Sequence, residues 1–319
     1  MAFKPSYVWP NPAFPFRVYY DGPECRVFII ENIQHNWEWL STYHNQIRDN
    51  DCFFVYCGWY HSEGFAKEAD KIFSELNLRK ENFYIMFNSI KEMMNFEPYG
   101  FTGDVINHNA WLDENLVMKV LPNVEKLYDA IYIARLSAFK RHELANKVRN
   151  LALVAGINHG NPINENLPPH IYKNDIPLTP DEVCRKINQS KCGLLLSAME
   201  GACFSSSEYL LCGIPVVSTY SNGGRDVWYN DYNSLEVEPN PSDIFEAVEY
   251  FIHNNRDPFK IRNDHIAQAQ IYRNKFIDEL GKIFYKYGVP LNSRSYFEEN
   301  YFHKLRKSHR PDFDAIFKD

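Results

Sequence analysis

What the chain lacks narrows its classes before any motif is read. Its 319 residues hold no apolar run approaching the roughly 18–20 positions that a membrane span requires. The opening stretch, MAFKPSYVWPNPAFPF, lacks the charged-then-apolar layout of a secretory leader. There is no surplus of positive charge: 34 Lys and Arg stand against 41 Asp and Glu, a net charge of −7, which argues against a general attraction for nucleic acid. No internal repeat or low-complexity tract interrupts the chain. The seven cysteines (Cys25, Cys52, Cys57, Cys184, Cys192, Cys203 and Cys212) form no CxxC pair and no metal-ligand spacing. Several lie inside apolar runs, where a reduced thiol behaves as a small hydrophobe. These absences predict a cytoplasmic protein with free thiols and no metal. What is plentiful is aromatic: 16% of residues are Phe, Trp or Tyr. A Phe- and Tyr-rich core explains that first, and a sugar-stacking surface second.

The hydrophobic pattern alternates short apolar runs with longer amphipathic segments, as in an α/β protein with parallel strands. Strands are expected at Arg26–Asn32, Cys52–Cys57, Phe83–Phe87 and, shorter, Asp104–Asn107. Helices are expected at Trp37–Arg48 and Phe65–Leu76. After a connection over Asp113–Lys126, a second series follows, with strands at Ala130–Ala134, Leu151–Ala155, Gly193–Ser197, Pro215–Thr219 and Asn233–Val237. A loop is expected over 157–170. Thr179, Pro180 and Glu182 spell a helix start, and Ser205–Cys212 reads as a helix closed by Gly213. Asp243–His253 and Ile261–Phe284 are read as further helices, and 286–319 as a polar tail.

The most informative stretch is LLSAMEGACFSSSEYLLCGIPVVST, Leu195–Thr219. A strand ends, Glu200-Gly201 follows, and a serine-rich turn leads into a helix bearing Glu208. Backbone N–H groups around Ser205, Ser206 and Ser207, at a helix start, suit phosphate oxygens. Glu208 can accept from a diol such as ribose, and Glu200 can reach the bound group. Taken as two isolated acids, both are solvated residues, with Glu208 merely favouring the helix dipole.

The segment closely resembles the group 1 (family 4-like) retaining glycosyltransferases of the GT-B fold. Their hallmark is an acid-glycine pair, a second acid after seven residues, and a Gly-x-Pro-Val turn; here Glu200-Gly201, Glu208 and Gly213-Ile214-Pro215-Val216 fill it. The resemblance implies that the first acid lies near the transferred sugar and the second binds the donor ribose. IARLSAFKR, Ile133–Arg141, is similar to the family's strand end with its Arg and a Lys five residues on, matched by Arg135 and Lys140, with Ala134 in place of the usual glycine. Two such cations would neutralise a departing diphosphate. SNGGRDVWY resembles the family's glycine-glycine loop through Gly223 and Gly224, which permit close backbone approach. Ile171–Leu178 resembles the segment whose backbone reads the nucleotide base, and NAWLD, Asn109–Asp113, is similar to the turn entering the linker, with one extra residue and no glycine.

The resemblance covers about 125–255 well and is fainter before it. It implies a GT-B α/β fold: two Rossmann-like domains facing a cleft, a reduced N-terminal acceptor domain (1–125), a nucleotide-sugar donor domain (126–285), and a tail (286–319) that packs back on the first domain or is a solvated basic end. The basic HKLRKSHR, His303–Arg310, raises peripheral contact with an anionic membrane against that plainer reading. The activity implied is metal-independent transfer of a hexose-type unit from a nucleoside diphosphate sugar, a substrate rather than a cofactor, to a carbohydrate or glycolipid hydroxyl in polysaccharide or glycolipid assembly. Glu200, Arg135 and Lys140 would be catalytic. Glu208, Ser205, Ser206, Ser207, Gly201, Gly223 and Gly224 would hold the donor. His61 and His108 are candidates for contact with sugar or acceptor, each weighed against a structural role. A donor-binding protein without catalysis, and a GT-B epimerase or phosphorylase, stay open as alternatives. The sequence does not set the oligomeric state.

Overall fold

The computed structural model describes residues 16–156, 163–164, 166–301 and 303–305. Two compact units divide it: one comprises the chain up to Leu112 with the chain from Gln270 onward, the other Asp113–Ala269. The sequence reading drew those borders at 125/126 and 285/286. The second difference has a plain cause: a single long helix spans Pro258–Tyr287 without a break, and its apolar positions from Phe276 onward belong to the first unit's core.

The first unit contains strands β1 (Phe16–Asp21), β2 (Arg26–Glu31), β3 (Asp51–Tyr56), β4 (Phe83–Phe87) and β5 (Thr102–Val105), in that spatial order. β1 pairs antiparallel to β2 and the rest are parallel. β2 and β3 are buried on both faces, as strands of covered parallel sheets are, and so read as unbroken apolar runs. Alternation divides them between two cores. Phe28 and Phe53 turn to one side and stack at 5.0 Å, and Phe53 stacks on Phe83 at 4.5 Å. That side is covered by α1 (Trp37–Tyr43), α2 (Glu63–Glu75) and α3 (Ile90–Phe96), through Trp39, Leu40, Ala66, Phe73 and Phe96. Val27, Ile29 and Phe54 turn to the other side, onto Phe276, Leu280, Phe284 and Phe297.

The second unit contains a six-stranded parallel sheet: β6 (Tyr128–Arg135), β7 (Leu151–Gly156), β8 (Tyr172–Lys173), β9 (Ser190–Leu195), β10 (Val216–Thr219) and β11 (Ser234–Val237). The spatial order is β11-β10-β9-β6-β7-β8. Chain order therefore runs outward in both directions from the β6/β9 junction, a topological switch point. Helices α4 (Pro180–Asn188) and α5 (Phe204–Leu211) connect β8 to β9 and β9 to β10, and α6 (Pro241–His253) follows β11. α4 starts as its sequence spells: the Thr179 side chain accepts from Glu182 N–H while the Glu182 carboxylate accepts from Thr179 N–H, a closed capping box. α5 ends at Gly213, whose φ of 74° and the 2.5 Å that would separate an added Cβ from the Pro258 carbonyl both exclude a side chain. α7 is the helix Pro258–Tyr287 and α8 covers Ser293–Asn300.

Most expected elements are present with ends moved by a few residues. β1, β8, α3 and α8 are not among the expected elements. Residues 157–162 and 165 of the expected 157–170 loop, and the tail beyond Leu305, including 306–310, lie outside the described residues. Within that tail, α8 and the following turn bury Phe297 and Leu305 in the first unit. Among the described residues no helix is long and apolar enough to cross a membrane.

Candidate functional site

The switch point between β6 and β9 concentrates the predicted site residues. Arg135 ends β6, and the chain turns through Lys140 and Arg141. The Tyr132 hydroxyl donates to the Lys140 carbonyl at 2.5 Å, which fixes the turn to its own strand. Beyond β9 the chain reaches Ser197 and Glu200. Lys140 and Glu200 form a direct ion pair across the junction, with side chains only 11% and 7% exposed. The Ser197 hydroxyl donates to Glu200 Oε1 at 2.6 Å. Arg135 lies with its guanidinium 5.5 Å from the Phe139 ring centroid, and Lys140 Nζ is 5.0 Å from the same centroid. Two predicted cations thus lie against one aromatic ring beside one predicted acid.

The glycine-glycine loop is locked to the acid-glycine loop. Glu200 N–H donates to Asn222 O and Asn222 N–H to Ala198 O, each at 2.9 Å, and Gly224 N–H donates to Gly201 O at 3.3 Å. Gly223 has φ 141°, and an added Cβ would stand 2.3 Å from the Glu200 carbonyl and 2.9 Å from that of Gly201. Two motifs over twenty residues apart therefore form one structure, and glycine at 223 is what lets the backbones touch.

The serine turn needs correction. α5 begins at Phe204, with Cys203 as its cap, so Ser206 is already inside the helix and its N–H donates to Cys203 O at 3.0 Å. That group is not open to a phosphate. Ser206 and Ser207 are also fully buried: Ser206 Oγ donates to Arg225 O at 3.2 Å, and Ser207 Oγ faces the interior. Ser205, half-buried, donates to Ile133 O at 3.3 Å and so ties the start of α5 to β6. Glu208 sits one turn along α5, half-buried. The base-reading segment has a definite anchor: Asn174 takes Ala155 N–H at 2.6 Å and donates to Ala155 O and Ile176 O, leaving Ile171 and Ile176 exposed.

Sequence reasoning missed two arginines. Arg225, directly after Gly224, is fully buried; it donates to Ser197 Oγ at 2.8 Å, Thr219 O at 2.6 Å and Leu195 O at 3.1 Å. It thereby orients the serine that holds Glu200. None of these acceptors is a carboxylate. Arg141, with a left-handed backbone (φ 51°), donates to Leu196 O at 2.5 Å and Thr219 Oγ1 at 2.7 Å. Burial, then the neighbouring Arg225 charge, pull its pKa down. The signal that could have found Arg225 is an arginine directly after the glycine-glycine loop that closes on Glu200-Gly201. Nothing distinguished Arg141 from a surface Lys-Arg pair. His142, next along, is buried against the Tyr132 ring, and burial together with Lys140 lowers it to about 4.

The two candidate histidines of the first unit are sealed. His61 is 3% exposed, stacks on Phe65 at 4.2 Å, and its backbone N–H donates to Glu92 Oε1 at 2.9 Å. His108 is 4% exposed and stacks on Tyr56 at 4.5 Å. Packing inside their own unit therefore covers the ring faces that contact with a sugar or acceptor would need.

Neither a protein-family model nor a curated protein matches the sequence. Solved structures do match in shape. Anabaena HepE, solved in complex with UDP, aligns with TM-score 0.56 at 13% identity, covering 80% of this chain and 78% of that one. Sucrose-phosphate synthase from Thermosynechococcus elongatus aligns with TM-score 0.52 at 13% identity, over 82% and 73%. A trehalose 6-phosphate synthase from Burkholderia multivorans gives 0.52 at 12%, over 79% and 76%. The likeness establishes the fold: two Rossmann-like α/β units of the GT-B type.

Proposed function

We propose that the chain is a retaining glycosyltransferase that moves a hexose-type unit from a nucleoside diphosphate sugar to a carbohydrate or glycolipid hydroxyl, with the donor held by the second unit. The observation that carries this reading is the Lys140–Glu200 pair across the β6/β9 switch point, where open parallel sheets take their ligands. Around it stand the cations Arg135, Lys140, Arg141 and Arg225, positive charge suited to a diphosphate. The fold's likeness to a chain solved with UDP supports the same choice of donor.

In this reading the bond from the anomeric carbon to the diphosphate oxygen breaks and the electron pair stays on the diphosphate. Lys140 and Arg135 stabilise that charge, in place of a metal ion. The acceptor oxygen bonds to the anomeric carbon, and its proton leaves with the diphosphate. Glu200, fixed by Ser197 and Lys140, places the sugar, and Glu208 holds the ribose.

The test is a thermal-shift screen of nucleoside diphosphates followed by donor hydrolysis and transfer assays on wild type, Lys140→Ala and Glu208→Ala. A nucleotide that binds only the folded chain raises its melting point. Lys140→Ala should lower turnover by about 10²–10³, and Glu208→Ala should weaken nucleotide binding. Full activity in both variants refutes the site. Binding without turnover on any acceptor favours the non-catalytic alternative.

A further inference from the structure

The first unit contains a second cluster of reactive side chains, far from the donor motifs in sequence. Cys57 follows β3, His61 lies four residues on in the loop to α2, and Glu92 lies in the first turn of α3. One donor atom from each, the thiol sulfur, a ring nitrogen and a carboxylate oxygen, all fall within 4.8 Å of one another. All three side chains are buried, at 2%, 3% and 0% exposure. We infer that Cys57, His61 and Glu92 form a binding site for one zinc-type divalent cation, tying the loop after β3 to the start of α3.

The surroundings are those a metal site needs. His61 Nε2 faces the Gln34 amide oxygen at 3.2 Å, so Nε2 carries the proton and Nδ1 the lone pair. That Nδ1 is buried with no hydrogen-bond partner, and it points at Glu92 Oε1 from 3.5 Å. An outward N–H held by an oxygen and an inward free lone pair is the arrangement of ligating histidines. The carboxylate is likewise oriented from outside: Asn88 N–H donates to Oε2 at 2.8 Å and His61 N–H to Oε1 at 2.9 Å. Phe65 and Phe96 close the site against water.

Charge supports the same conclusion. A divalent ion with one thiolate, one carboxylate and one neutral imidazole carries no net charge, which keeps the cost of burying it small. Uptake of the ion requires the thiol to give up its proton. Cys57 and His61 share a four-residue spacing, but the third ligand comes 31 positions later from another element, so no local motif announces the set.

The test is anaerobic titration of the full chain with Co²⁺, followed by displacement with Zn²⁺. One equivalent should produce a thiolate-to-cobalt charge-transfer band. The band should vanish in Cys57→Ser, Glu92→Gln should weaken binding at least tenfold, and Gln34→Leu should weaken it about 10–100-fold. No thiolate band at stoichiometric cobalt overturns the inference. So does a band kept in Cys57→Ser but lost in Cys212→Ser, because Cys212 lies 3.8 Å from Cys184 and 3.9 Å from Met118 in a rival sulfur cluster. Should the variants not fold, X-ray absorption on the zinc-loaded wild type decides: a mixed shell with one sulfur supports the site, and a shell with no sulfur or several refutes it. Nucleotide binding by the second unit is a separate readout, so failure here leaves the donor assignment standing.

Discussion

Two of the buried arginines, Arg26 in the first unit and Arg225 in the second, are treated differently. Arg26, at the start of β2, meets Asp51 at the start of β3 through two bonds of 2.6 Å, and neither side chain reaches solvent to a useful degree. Arg225, in the second unit, is more deeply buried and has only neutral acceptors. Arg26 lies at the amino-terminal edge of its sheet, where parallel sheets rarely bind anything. Arg225 stands at the carboxyl-terminal edge, beside Glu200 and Lys140. A buried charge bonded directly to a carboxylate at the amino-terminal edge belongs to structure; one hydrogen-bonded to neutral acceptors at the carboxyl-terminal edge, with Asp226 and Glu236 acting on it only through space, stands where an anion would arrive. The cores differ in the same way. Of the ten largest fully buried side chains, the first unit holds seven, all aromatic, so the chain's aromatic surplus is mainly packing rather than a sugar platform. The second unit's main cluster is built from Ala, Val, Leu and Ile, with few rings, which lets its loops close tightly on one another.

The sharpest way to break this contrast is to remove both arginines in turn. Arg26→Met strands the Asp51 carboxylate in the interior and should cost about 3–5 kcal/mol of stability, measured by denaturant unfolding. Gly223→Ala forces a Cβ into the Glu200 carbonyl at a positive φ and should cost about 2–3 kcal/mol, with nucleotide binding falling in step. Arg225→Met removes a charge whose hydrogen bonds go only to neutral acceptors; it should cost only about 1–2 kcal/mol, from the acceptors left bare, while weakening nucleotide binding at least tenfold. If Arg225→Met proved as destabilising as Arg26→Met with binding intact, the distinction would fail.

His142 gives a pH test on the second unit. Its folded pKa, about 4, is below the ordinary 6.5, so the unfolded chain binds the proton more readily. The stability it contributes is complete above pH 6.5 and is lost as pH falls from 6.5 towards 4, by on the order of 2 kcal/mol. His142→Phe should flatten that limb. Smallest of all, Thr179→Ala opens the capping box of α4 and should cost about 1 kcal/mol with nucleotide binding unaffected.

Most strands of both units could be anticipated, and Lys140 and Glu200 were expected around one ligand because loop chemistry in the second unit is written in short motifs; β8 and their direct ion pair were not. β1 was missed because it follows a proline-rich stretch and pairs antiparallel at an edge. α3 was missed because Ile90 and Met94 point outward, 65% and 60% exposed, and spoil its amphipathic pattern. Arg225 was hidden by the two glycines before it, which read as a turn. The Cys57, His61 and Glu92 set was unreadable because only the folding of β3 and α3 beside each other brings it together.

The unequal partition of the chain has a consequence for how the protein is made. The second unit is one uninterrupted stretch, so a ribosome has delivered all of it once Ala269 has cleared the exit tunnel. The first unit, though begun earlier, waits for Phe276, Leu280, Phe284 and Phe297 to cover one side of its sheet. During synthesis the half made first is therefore the half finished last, and its bare aromatic face is where a chaperone would be needed.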